Sequence, residues 1–114
     1  PMDVDNDGDL DLYLVNDFGM FIAPNELLIN DGAGGFSLAE DCGCAVEMFG
    51  MGAAASDFDN DGLIDLHLSN FGSPKLLSSV GPARFVDTTA ASGALIEPSA
   101  DHVSSWGTIF VDIN

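Results

Sequence analysis

Asp57-Phe58-Asp59-Asn60-Asp61-Gly62-Leu63-Ile64-Asp65 decides how this chain is read. Asp3-Val4-Asp5-Asn6-Asp7-Gly8-Asp9-Leu10-Asp11 carries the same pattern 54 residues earlier. A third copy opens at Asp112-Ile113-Asn114, 55 residues after Asp57. Self-similarity at a fixed period marks a repeat architecture, in which one supersecondary unit recurs. The string also has a chemistry of its own, because it sets carboxylates at alternate positions around a glycine turn. The chain starts inside one copy and stops inside another, and Pro1 stands where an initiator Met would. It therefore reads as an excerpt of a longer protein.

Outward from each glycine the copies continue to match. Leu10-Asp11-Leu12-Tyr13-Leu14-Val15-Asn16 and Ile64-Asp65-Leu66-His67-Leu68-Ser69-Asn70 alternate apolar and polar residues. That period-2 pattern predicts a half-buried strand with Leu10/Ile64, Leu12/Leu66 and Leu14/Leu68 on one face. A loop ending at Pro24 or Pro74 leads to a short apolar strand, Leu27-Leu28-Ile29 or Leu76-Leu77. A turn then precedes a strand opening on Phe36 or Phe85. Asn30-Asp31-Gly32-Ala33-Gly34-Gly35 is turn chemistry, with Gly81-Pro82 as its looser counterpart. Met51-Gly52-Ala53-Ala54-Ala55 and Trp106-Gly107-Thr108-Ile109-Phe110-Val111 are strands feeding the next acidic loop.

The expected fold is all-β, without helical spacing over three turns: about two four-stranded antiparallel blades of a β-propeller. The predicted divisions are 1–49 as a partial first repeat, 50–104 as a second repeat and 105–114 as the start of a third, all one propeller domain. The Gly-Ala-rich strand fits the innermost position, where blades converge. Up-and-down order puts the acidic loops on one side and the connectors 16–25, 38–49, 70–74 and 88–104 on the other.

Two basic against 19 acidic residues give a net charge of −17. Nucleic acid and anionic membranes demand Lys and Arg, so neither is an expected partner. No apolar run reaches the roughly 18 residues of a membrane span. A hydrophobic content of 46% exceeds that of an acidic disordered tail, so the chain packs a core. Nine of the acids fall in the two short windows, where like charges repel unless a cation sits among them.

Asp57-Phe58-Asp59-Asn60-Asp61-Gly62 with Asp65-Leu66, Asn25-Glu26-Leu27-Leu28 with Asn30-Asp31-Gly32 and Phe36, and Ser105-Trp106-Gly107 resemble FG-GAP/VCBS repeats. The resemblance covers nearly the whole chain and lies closest to the bacterial and cartilage acidic protein branch. It implies an integrin-α-like β-propeller, seven-bladed when complete, so that neighbouring blades lie outside these residues. Residues 78–84 depart from the family's Asn-x-Gly-x-Gly turn.

Calcium takes six to eight oxygen ligands in a tolerant geometry. Asp3, Asp5 and Asp7, and equally Asp57, Asp59 and Asp61, offer carboxylates at loop positions 1, 3 and 5. Position 7 (Asp9, Leu63) offers a backbone carbonyl, and position 9 (Asp11, Asp65) a last carboxylate; Asp112 and Asn114 begin a truncated third site. The resemblance implies calcium loops of this kind. An EF-hand shares the pattern but needs Glu at position 12, where Leu14 and Leu68 stand, and flanking helices. Magnesium is disfavoured because it keeps its waters and few carboxylates.

Cys42-Gly43-Cys44 in a connector is read as loop thiols or as half of pairings outside the chain, since a bond across one residue is unusual. His67 aligns with Tyr13 as a blade-packing or surface residue. Gly50-Met51-Gly52 lacks the helix a dinucleotide site requires. The expected function is a calcium-binding, non-enzymatic segment of an extracellular, periplasmic or cell-surface protein, recognising a protein or glycan opposite the calcium loops. The alternatives are the scaffold of a secreted polysaccharide- or lipid-degrading enzyme, and a purely structural spacer.

Overall fold

The computed structural model describes residues 1–96 and 104–113, and its strands form two antiparallel sheets without a helix among those residues. In chain order the strands are β1 (Leu12–Leu14), β2 (Glu26–Asn30), β3 (Phe36–Leu38), β4 (Gly50–Ser56), β5 (Asp65–Asn70), β6 (Lys75–Gly81) and β7 (Arg84–Asp87). Sheet order follows chain order, β1-β2-β3 and β4-β5-β6-β7, so each sheet is an up-and-down meander. The first sheet lacks the innermost strand, for which Met2 stands in with one antiparallel bridge to Asp11.

The sheets repeat each other in register. Leu12 pairs with Leu28 and Tyr13 with Leu27 in the first, as Leu66 pairs with Leu77 and His67 with Leu76 in the second. The β6–β7 hairpin forms despite its divergent sequence. Pro82-Ala83 makes the turn between Gly81 and Arg84, Ala83 takes a positive φ of 53°, and the ladder shifts register between Ser79 and Gly81. A bulge of this kind absorbs the residue a regular turn does not accommodate.

Identical residue types in the leucine row meet different fates. Leu66 and Leu68 are buried against the first sheet, in a cluster with Leu27, Leu77, Phe85 and Met48. Leu14 is exposed and Leu12 only half-buried, because no sheet covers their face among the described residues. Full burial of a leucine stabilises by roughly 1.5–3 kcal/mol, so the difference is energetically large. Tyr13, on the opposite face, turns toward the seam and donates its hydroxyl to Cys44 O at 2.7 Å. His67, its counterpart one repeat later, meets the segment that aligns with β4 instead, with Nδ1 2.6 Å from Thr108 Oγ1 and its ring against Phe110. Both are blade-packing residues.

Two sequence expectations are corrected. Residues 106–111 form no strand, although they lie where the third innermost strand is expected. The equivalent β4 draws its ladder from β5, the strand after its own acidic loop, and no such strand follows 112–114 in these residues. Cys42 and Cys44 are bonded to each other, with their Cα atoms 5.2 Å apart, rather than being free thiols. Gly43 makes this approach feasible with a φ of +72°, a region that glycine enters without steric cost. The loop lies in the seam: Cys42 O accepts the Phe85 N–H of β7 at 2.8 Å while Cys44 O holds Tyr13 of β1. Asn114 and the acids Glu97 and Asp101 lie outside the described residues.

Candidate metal centre

Each acidic loop folds first on its own backbone. In the second loop the N–H groups of Asp61 and Gly62 donate to Asp57 Oδ1 and Oδ2, both at 3.0 Å, and Leu63 N–H donates to Asp61 Oδ1 at 2.8 Å. The first loop reproduces the set: Asp7 and Gly8 donate to Asp3 at 3.1 Å each, and Asp9 to Asp7 at 2.9 Å. Asn6 and Asn60 both have φ of 62°, the left-handed region Asn tolerates, and Gly8 and Gly62 follow at 96° and 90°. These bends turn alternate side chains inward, which is why the motif needs Asn-Asp-Gly there.

The result is two convergent carboxylate groups. One oxygen from each of Asp3, Asp5 and Asp11 lies within 4.8 Å of the others, and so do oxygens of Asp57, Asp59 and Asp61. Of the ten ligand positions named in the two complete loops, six therefore fall into close groups. Asp7 is exposed and bound up with the Asp9 N–H; Asp65 is not in the second group.

Asp11 and Asp65 have a further role that the spacing did not disclose. Both are fully buried. Asp11 Oδ2 accepts Val4 N–H and its Oδ1 accepts Asn30 N–H, each at 2.9 Å. Asp65 does the same with Phe58 at 2.9 Å and Ser79 at 2.8 Å. The position-9 carboxylate thus ties the loop to the following hairpin. Its signal in the sequence is an acid aligned in both copies, although strand alternation sets it on the face opposite the leucine row.

The electrostatics favour a cation. Burial raises the Asp5 carboxyl above its usual range, and the Asp7 and Asp11 charges raise it further. Burial likewise raises Asp65, against the lowering effect of its two backbone donors. Asp5 Oδ1 is buried without a hydrogen-bond partner, an orphaned acceptor of the kind a cation satisfies. An all-oxygen, carboxylate-rich donor set suits a hard cation. Asp112 lies beside Asp57, Phe58 and Asn60 along one shallow cavity, so the start of the third copy adjoins the second loop.

Acidic hairpin loops joining successive strands of up-and-down sheets define a blade of the propeller class. The family model described as FG-GAP-like repeat matches residues 3–68, more than half of the chain, and the protein belongs to that family. No curated protein and no solved structure gives a significant match.

Proposed function

We propose that this chain is a calcium-binding propeller segment of an extracellular or cell-surface protein, non-enzymatic, and serving adhesion or ligand recognition on the side opposite its acidic loops. The observation that carries the metal reading is the orphaned Asp5 Oδ1 inside the Asp3–Asp5–Asp11 group, together with its near-copy at Asp57–Asp59–Asp61. Asp3, Asp5 and Asp11 would hold one ion and Asp57, Asp59 and Asp61 another. The ion supplies charge neutralisation and a rigid anchor; the backbone amides of the loop and the position-9 carboxylate hold the hairpin in shape around it. Millimolar external calcium suits such loops, with affinities of about 10⁻⁴–10⁻³ M. The Cys42–Cys44 bond supports an oxidising compartment.

Isothermal calorimetry with calcium tests the reading. Two sites per chain are expected, one lost in Asp5→Asn and the other in Asp59→Asn. Absence of heat on calcium addition to folded chain would overturn it.

A further inference from the structure

The two connectors that follow β1 and β5 are copies of unequal length. Pro74 follows Asn70 by four residues, whereas Pro24 follows Asn16 by eight. Both are closed alike at the base: Asn70 Nδ2 donates to Ser73 O at 2.9 Å, and Asn16 Nδ2 to Pro24 O at 2.7 Å. The longer loop is also tied down in its middle. Gly19 N–H donates to Met48 O at 2.8 Å, and Phe18 O accepts the N–H groups of Phe21 and Ile22 at 2.8 and 3.0 Å.

The extra residues are apolar and face solvent. Met20 is 58% exposed, Phe21 76% and Ile22 80%. The shorter copy makes the same turn without them, so the blade does not require them. Phe18 sits beside them with φ of 60°, a conformation that costs a bulky side chain energy. Phe49 links the patch across the seam, its ring 5.6 Å from Phe18, 6.0 Å from Phe21 and 6.4 Å from Phe71. A held loop presenting Phe, Met and Ile has the composition of an interface core.

The rim and the chain at large are acidic. Asp17 and Glu47 are exposed beside the patch, and the net charge is −17. Of the two bases, Lys75 is paired with Asp87 at 2.6 Å. We infer that the loop 17–22 is a docking surface for a polypeptide segment that offers apolar side chains flanked by Lys or Arg. This rests on the reading that the connector side carries recognition, and it names the class of partner and the residues that anchor it.

The test uses a fluorescently labelled leucine–lysine amphipathic peptide, its leucine–glutamate counterpart, and phosphatidylcholine vesicles, each titrated with the whole chain in calcium. Two variants accompany the wild type: Phe21→Ser/Ile22→Ser, and excision of residues 20–23, which restores the length of the shorter loop. Ile109→Ser, at an equally exposed apolar position elsewhere, is the control, and circular dichroism verifies that all three fold. The cationic peptide should bind with a salt-sensitive affinity that falls about tenfold or more in both loop variants and not in the control. The inference is overturned if the loop variants bind as the wild type does, if the anionic peptide binds equally, or if vesicles or a second copy of the chain take the surface instead. A glycan held elsewhere on the connector side would overturn this inference and leave the recognition reading standing, whereas failure to bind calcium strikes only that earlier reading.

Discussion

The backbone N–H of Ser79 donates to Asp65 Oδ1 at 2.8 Å, and so a residue of the acidic loop's exit holds β6 in place from 14 positions away. The other oxygen of the same carboxylate accepts Phe58 N–H at the loop's entry. Asp65 thereby fastens three segments before any metal arrives. Asp11 does this for Val4 and Asn30.

Asp65→Ala leaves the buried Ser79 N–H and the part-buried Phe58 N–H without acceptors. It should destabilise the chain by about 3 kcal/mol, since a charge-assisted bond contributes roughly 1.5–3 kcal/mol and the part-buried donor can turn to water. Asp59→Ala removes an exposed carboxylate from a crowded group and should cost little in chelator. Denaturant titration in EDTA compares the two; equal losses would show that Asp65 has no role apart from the metal.

Calcium should raise the melting temperature and EDTA lower it. A ligand present at a hundred times its dissociation constant stabilises by about 2.7 kcal/mol per site. The increment should halve in Asp5→Asn and in Asp59→Asn singly and vanish in the double variant, as read by differential scanning calorimetry.

Gly43→Ala tests the seam. Its φ of +72° disfavours any side chain, and a Cβ would collide with the Phe85 carbonyl oxygen, a backbone atom that cannot swing aside. A loss of about 3 kcal/mol is expected from backbone strain and overpacking together. Gly62→Ala, at φ +90° with open space around it, should cost only about 1 kcal/mol. Thermal melts of the two variants give the comparison.

His67 sets a pH dependence. Burial lowers its pKa, so the folded chain keeps the ring neutral where the unfolded chain binds a proton. More protons bound in the unfolded state means that stability rises with pH. It should therefore be complete above the unfolded value of about 6.5 and fall as the solution is acidified below it. His67→Gln, which removes the titrating group beside Thr108, should flatten that part of the profile. Urea midpoints between neutral and mildly acidic pH read it out.

Much of the fold was legible because it is written locally. The 54-residue recurrence identified repeats, the alternation around Leu66 identified strands, and Asn-Asp-Gly identified loops whose left-handed bends turn carboxylates inward. Each is a property of neighbouring residues and backbone sterics. The carboxylates of Asp3 and Asp5, and of Asp57, Asp59 and Asp61, were legible as groups for that reason.

The remainder depended on what packs against what. Leu68 and Leu14 are the same residue at the same place in two repeats, yet one is buried and the other exposed, because among the described residues the second sheet has a neighbour on that face and the first has none. Cys42 and Cys44 close on each other where Phe85 and Tyr13 clamp the connector from opposite sheets. The buried role of Asp65 required Ser79 to arrive from the next hairpin, and the exposure of Phe21 required that no strand among the described residues cover its loop. The sequence by itself determined the repeat, the hairpins and the acid-lined loops, since these follow from local conformation. Tertiary structure alone decided which apolar face is core, which carboxylate is a structural acceptor and which aromatic rings meet solvent, since burial is a relation between segments distant in the chain.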